Sequence, residues 1–404
     1  MKRLLIGLTA LFLLTAGAVG ETRLMVVSDI HYLDASLREE GEFFLRVLRG
    51  GDGKLTQEGD ILLDALQAEV IRLRPDALLV TGDLTFNGER ASHLTLAKRF
   101  QAIEAAGVPV WVMPGNHDIN SPDPRGYGAG GWYYVRGVTP EEFAGIYADF
   151  MGPAGEGANL SFAVDVGEDL RVLMTDVCFY RDIGQTFGLF LAGHGRWLEA
   201  ALKSAREAGR RVITASHHSL LAHTQFMRDS YVMLGGEDMA AIDRRYGVRL
   251  HLSGHLHAQH ITCEDGLYDA ALGAFCSSPH RYALVTLEDD GTLTYEARAL
   301  DDDCLPAGFQ ALSRQWYLDI SREKTRAALR DTNLSEAELD AMADFSARFS
   351  LAYFSGTFQS DDGTWREDPG YALWKAQANS PYWQYMSMVM DEAAGDNLHL
   401  QLRD

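Results

Sequence analysis

The chain has 404 residues, 57 of them acidic and 36 basic, for a formal net charge of -21, with 47% hydrophobic and 23% charged residues. A chain this long exceeds the usual single core, so one large domain with an appended piece is expected, and its apolar fraction argues against general disorder. The acidic excess repels polyanions, which disfavours a nucleic-acid polymer or an anionic membrane surface as partner.

Lys2 and Arg3 precede an apolar run from Leu4 to Ala16 and small residues through Ala18 and Gly20. This is the pattern of a secretory signal over residues 1–20, and it predicts a periplasmic or extracellular protein. The run is shorter than the roughly 20 residues needed to span a bilayer, so no stable membrane insertion is expected after its removal. From Leu24 onward β-branched or leucine-rich runs alternate with helical patterns, predicting strands at Leu24–Ser28, Ala77–Thr81, Val108–Met113, Leu170–Thr175, Arg211–Ala215 and Val248–Ser253. Leu62, Leu66, Val70 and Leu73 predict a helix closed before Pro75, with Arg74 biased out of the right-handed region. Further helices are predicted near Ser92–Ala106, with Gly107 as its left-handed cap, and near Arg196–Ala208, closed by Gly209.

Between two of these elements, the stretch from Ile119 to Thr139 holds Pro122, Pro124, five glycines and the aromatic set Tyr127, Trp132, Tyr133 and Tyr134, and it reads as a long functional loop. Turns at Gly167-Glu168-Asp169 and Asp289-Asp290-Gly291 predict hairpins, so the sheet is expected to be mixed. Past Asp301 the composition shifts to helix formers, with a helix start between Thr332 and Glu336. The expected division is residues 1–20 as signal, 21–300 as catalytic domain and 301–404 as a C-terminal helical appendage. Cys178, Cys263, Cys276 and Cys304 include no Cys-x-x-Cys pair, which disfavours a cysteine zinc site, and their spacing leaves disulfide pairing open.

Metal-ligating residue types follow nearly every predicted strand, where loops at a sheet's carboxyl edge gather ligands. Asp29-Ile30-His31 follows the first, Gly82-Asp83 the second, Gly115-Asn116-His117-Asp118 the third, His217-His218 the fifth and Gly254-His255-Leu256-His257 the sixth. Each segment alone is common by chance. Together they suit a two-cation site, because paired cations can clamp the attacking and leaving oxygens of a phosphate ester and acidify a bound water. Mixed His, Asp and Asn donors favour iron, manganese or zinc over calcium or magnesium.

In this order the five blocks resemble the calcineurin-like metallophosphoesterase superfamily, over the span Asp29 to His257. The resemblance implies a four-layer αββα sandwich of two mixed β-sheets flanked by helices. It further implies one divalent ion on Asp29, His31, Asp83 and His257, and a second on Asp83, Asn116, His217 and His255, with Asp83 bridging. Alternation along an extended segment is expected to project His255 and His257 the same way. Ser219 stands where related chains have proline, which puts the choice between His217 and His218 at issue. His117 is implied as the non-ligand group that stabilises the transition state or protonates the leaving alkoxide, with Asp118 orienting its ring. Phe86 stands where the purple acid phosphatase branch carries a tyrosine ligand, so no purple ferric site is expected.

A small-molecule phosphate ester is the expected substrate. The layout resembles exported bacterial phosphodiesterases that accept cyclic nucleotides. A non-specific phosphomonoesterase or nucleotidase is the alternative, and a silent metal-containing binding protein is the alternative from another class. Arg125, Arg181 and Arg228 are candidate cations for substrate, Tyr127, Trp132, Tyr133 and Tyr134 candidate stacking surfaces, and His218 a further contact. Tyr353, Phe354 and Trp374 are expected to bring aromatic surface to the site.

Overall fold

The computed structural model describes residues 21–39, 41–180, 186–225, 227–228, 230–360, 362–392 and 395–403. Residues 1–20, where a signal is expected, and Arg181 lie outside the described residues. The strands in chain order are β1 (Thr22–Val27), β2 (Ala77–Thr81), β3 (Val110–Met113), β4 (Arg125–Gly128), β5 (Gly131–Tyr134), β6 (Phe162–Val166), β7 (Leu170–Met174), β8 (Arg211–Ala215), β9 (Leu250–Ser253), β10 (His260–Glu264), β11 (Leu267–Ala271), β12 (Arg281–Leu287), β13 (Leu293–Ala299) and β14 (His399–Leu402). The helices are α1 (Glu42–Arg49), α2 (Gly59–Leu73), α3 (Arg90–Ala105), α4 (Pro140–Ile146), α5 (Ala192–Glu207), α6 (Gly236–Tyr246), α7 (Phe309–Leu329), α8 (Glu336–Phe354), α9 (Thr364–Glu367), α10 (Pro369–Ala376) and α11 (Pro381–Asp391).

Two six-stranded mixed sheets form, in the orders β14-β13-β12-β1-β2-β3 and β10-β11-β9-β8-β7-β6. Alternation along each strand sorts the layers. Met25, Val27, Leu78 and Val80 face α2 and α3 in one core, whereas Leu24, Val26, Ala77 and Leu79 meet Val172, Ile213 and Leu252 of the other sheet. The outer face of the second sheet is covered by Leu198 and Leu202 of α5 and Met239 and Ile242 of α6. Helices, two mixed sheets and helices again therefore make the four layers that the resemblance implied. Within each sheet β1, β2 and β3, and β7, β8, β9 and β11, run parallel. The carboxyl ends of β1, β2 and β3 thus open on one edge, as do those of β8 and β9. Among the described residues no helix is long and apolar enough to cross a membrane.

Several expectations change. Residues 119–139 are not one irregular loop, because β4 and β5 pair antiparallel within them, Tyr127 opposite Trp132. Arg74 does leave the right-handed region, but into the left-handed one at φ 47, where it caps α2. The appendage is not wholly helical, since β14 returns to pair with β13. All four cysteines are free, so no disulfide forms among them. The helices of the appendage share a core of Met342, Phe345, Phe349 and Trp374 that continues onto Leu256 and Ala258 just after β9.

Candidate metal centre

The turns that leave β1, β2 and β9 deliver their side chains on strained backbone. Asp29, His31, Asp83, His255 and His257 all have φ between 44 and 65. Non-glycine residues adopt that region at a cost of about 1–3 kcal/mol each, and such strain clusters at functional sites. The expectation of an extended His255-Leu256-His257 segment is therefore overturned. The chain coils through left-handed residues there, with Leu256 N–H donating to the Gly254 carbonyl, and the two rings reach different halves of the site. Gly115 permits the closest approach, because a Cβ there would lie 2.1 Å from the Asp83 nitrogen and 2.2 Å from its Oδ1.

Ligand-type atoms of Asp29, His31, Asp83 and His257 lie within 4.8 Å of one another, and those of Asp83, His217 and His255 do likewise. Asn116 joins the second group, its Oδ1 3.0 Å from His217 Nε2. All seven side chains named from the sequence thus converge, and Asp83 belongs to both groups. Its Oδ1 lies 3.4 Å from His217 Nε2 and its Oδ2 3.5 Å from His31 Nε2. The choice between the paired histidines is visible in the geometry. His217 donates through Nδ1 to the Thr81 carbonyl and turns Nε2 to Asp83, whereas His218 Nε2 bonds the Thr186 carbonyl and its ring packs 4.3 Å from His255. His218 is fully buried and presents no free edge, which corrects its expected substrate contact.

This donor set fits cations on an observation of its own. Asp29 and Asp83 are fully buried, and buried carboxylates demand positive compensation. Burial pushes the Asp83 carboxyl up, yet His217, His117 and His31 around it hold it well below the usual range. Burial pushes the His217 and His257 rings down, and the carboxylates beside them, Asp83 and Asp29, carry both up to about 9. The site therefore calls for positive charge beside the buried Asp29 and Asp83, which bound cations would supply. The approach of His31 Nε2 to His257 Nε2, 3.1 Å, is that of two donors aimed at one point.

Further polar groups join the site with no motif in the sequence to mark them. His257 Nδ1 donates to Asp52 Oδ2 at 2.9 Å, and Lys54 Nζ lies 3.5 Å from the same carboxylate. Gly-Gly-Asp-Gly-Lys at 50–54 reads as an ordinary turn, and only the fold brings it beside His257. His255 Nε2 contacts the Ser230 carbonyl at 3.1 Å. His117 presents Nε2 3.9 Å from Asp83, while its Nδ1 donates to the Phe86 carbonyl at 2.9 Å. Asp118 does not orient that ring. Its buried carboxylate accepts from the Leu84, Thr85 and Gly115 N–H groups and the Thr85 hydroxyl, so it braces the turn that carries Asp83.

A cavity of about 360 Å³ opens from His255 and His257 toward α7, α8 and α11, lined there by Tyr317, Phe354 and Tyr382. A second, of about 200 Å³, lies beside Asn116 and His117. Of the three aromatic residues expected from the appendage, Phe354 reaches the first cavity. Trp374 is fully buried with its indole N–H on the Met342 carbonyl, and Tyr353 packs against Tyr385. Tyr127 is buried among Leu33, Phe44 and Leu48, which corrects its expected stacking role. Arg125 stacks 4.1 Å over Trp132 and pairs with Asp123, while Trp132, Tyr133 and Tyr134 are exposed and line neither cavity. Arg228 is exposed on a turn and lines neither.

The model of the calcineurin-like phosphoesterase family matches residues 22–259. The chain belongs to that family. Residues 299–396 match the model for the C-terminal domain of cyclic nucleotide phosphodiesterase. Among solved structures, a dimetal phosphatase from Danio rerio is 16% identical, with 69% of this chain and 96% of that one covered at a TM-score of 0.51. The inner-membrane-complex anchor GAP50 of Plasmodium is 10% identical, with 79% and 98% covered at 0.42. No curated protein matches the chain. As a calcineurin-like phosphoesterase the protein is a hydrolase of phosphate esters, and its Asp and His clusters form a candidate metal site.

Proposed function

We propose that this phosphoesterase is a two-cation phosphodiesterase that accepts cyclic nucleotides. One cation would be held by Asp29, His31, Asp83 and His257, the other by Asp83, Asn116, His217 and His255, with Asp83 in both groups. When bound, such a pair would supply Lewis acidity toward the phosphoryl oxygens and lower the pKa of a bound water. The N/O donor set suits iron, manganese or zinc. His117 is fixed by the Phe86 carbonyl so that its Nε2, when protonated, faces the site and can hand a proton to the departing alkoxide. Residues 1–20 are read as an export signal, which places the mature enzyme in the periplasm or outside the cell.

The observation that carries the diester reading is the state of the cations around the large cavity. A monoester dianion calls for free arginine or lysine to pin it. Here Arg281 donates to the Ser355 and Ala297 carbonyls, Lys324 to the Gly51 carbonyl, and Lys54 pairs with Asp52. The cavity instead offers Tyr317, Phe354 and Tyr382, room for a second, flat substituent. The match of residues 299–396 to the C-terminal domain of cyclic nucleotide phosphodiesterase supports the same reading. Purified protein with added Mn²⁺ should release nitrophenol from bis-(p-nitrophenyl) phosphate with a kcat/KM well above that for p-nitrophenyl phosphate. A preference for the monoester favours the phosphomonoesterase or nucleotidase alternative. Bound cations without turnover of either ester favour a silent binding protein.

A further inference from the structure

We propose that α7 of the C-terminal region sets the cation affinity of the centre through the 50–54 turn and Asp52, a positioning residue for His257. The inference rests on the assignment of His257 as a cation ligand. A histidine that binds through Nε2 needs its proton held on Nδ1, and a carboxylate there both fixes the tautomer and raises the basicity of the ring. Asp52 Oδ2, 2.9 Å from His257 Nδ1, is placed to do this. Asp52 sits on a turn outside regular secondary structure, between α1 and α2, and faces the large cavity.

What fixes that turn comes largely from α7. Trp316 Nε1 donates to the Lys54 carbonyl at 3.2 Å, and Lys324 Nζ donates to the Gly51 carbonyl at 2.7 Å. Between them, the ring of Tyr317 lies so close to Gly53 that a Cβ there would come within 2.5 Å of it, at a φ of +89 that disfavours any side chain. Two hydrogen bonds and one aromatic face thus grip residues 51, 53 and 54, on both sides of the carboxylate-bearing Asp52. The far end of the turn is tied to the catalytic domain by Leu55 N–H on the Cys276 carbonyl. Without α7 the turn keeps that tether and the bond from Gly51 N–H to the Leu48 carbonyl of α1, but loses the contacts to Gly53 and to the Gly51 and Lys54 carbonyls, and Asp52 becomes free to leave His257.

The test is a double-mutant cycle read as Mn²⁺ affinity by calorimetric titration of the metal-free full chain, with thermal unfolding of each metal-free variant as the control for folding. Asp52→Ala is expected to weaken Mn²⁺ binding by about 10- to 100-fold, and Asp52→Asn, which keeps an acceptor, by less. Trp316→Phe combined with Lys324→Met should weaken binding in the native background yet add nothing once Asp52→Ala is present, because contacts that act through one residue do not add. Lys324→Gln replaces the pair should Trp316→Phe unfold the protein. Native affinity in the α7 variants, or losses that add to that of Asp52→Ala, would overturn the relay while leaving the two-cation reading intact. A wild-type chain that binds no cation would sink both.

Discussion

At the scale of the residue, the proposed mechanism separates side chains that hold cations from a side chain that transfers a proton. Asp83 lies between both donor groups, whereas the His117 ring is turned by the Phe86 carbonyl and belongs to neither. Asp83→Asn is therefore expected to abolish turnover together with cation binding, and His117→Asn to lower kcat by about 10²- to 10⁴-fold with both cations retained. Elemental analysis of the two variants decides, and equal metal loss would refute the separation. The residue types and order of these side chains were legible in the sequence, because each motif follows a strand end. Their left-handed backbone was not, since no periodicity reports φ, and neither was Asp52, whose partner His257 lies 205 positions away. A buried carboxylate remote from the site gives a pH prediction. Burial pushes Asp243 up to about 7, against a bond from the Thr214 hydroxyl and the charge of Arg244. A folded value above the unfolded one means that the stability it contributes is complete below about pH 4 and lost as pH rises through 7. Buried His93, His251 and His280, held at about 3 to 4 by burial, act in the opposite sense. The difference between wild type and Asp243→Asn isolates the carboxylate. The variant should gain on the order of 1–4 kcal/mol relative to wild type between pH 5 and pH 8 in urea unfolding, and parallel curves would refute the assignment.

At the scale of the element, strands and helices bounded by clear periodicity were legible, and β2 and β8 fall where the pattern placed them. The 119–139 stretch was not, because its prolines and glycines signal turns while the alternation that makes β4 and β5 is only four residues long on each side. That hairpin is secured by one buried ring. Tyr127 packs on Phe44 of α1 at 5.1 Å and on Phe86 at 6.2 Å, and its carbonyl accepts from Glu39 N–H at 2.7 Å. Tyr127→Ala should cost about 3 kcal/mol of stability through the cavity it leaves. Because the ring lines neither cavity, KM for the diester measured on folded protein should stay unchanged. A raised KM with native stability would return Tyr127 to the substrate surface.

At the scale of the whole molecule, the last strand joins what the domain division separated. The alternation of Leu398, Leu400 and Leu402 with His399 and Gln401 was present in the sequence, yet its five residues follow a helical region and read as its tail. In the fold, β14 extends the first sheet beyond β13, and Leu402 is buried in the core between the sheets. The same segment bonds the second sheet at its other edge, with Gln259 Nε2 on the Asn397 carbonyl at 2.8 Å and Ile261 N–H on Asn397 Oδ1 at 2.9 Å. The end of the chain therefore clamps both sheets and draws α7 to α11 down onto the sandwich. A chain shortened to Gly395 exposes the edge of β13 and forfeits the burial of Leu402, worth about 2 kcal/mol by itself. Its thermal midpoint should fall by several degrees, with faster proteolysis between Leu300 and Phe309 where the appendage departs. The side chains proposed to hold the cations lie before residue 258, and α7 keeps its own bonds to the 50–54 turn in the shortened chain, so both cations should remain bound at room temperature. An unchanged midpoint would show that β14 merely lies against the sheet and that the helices hold the appendage without it.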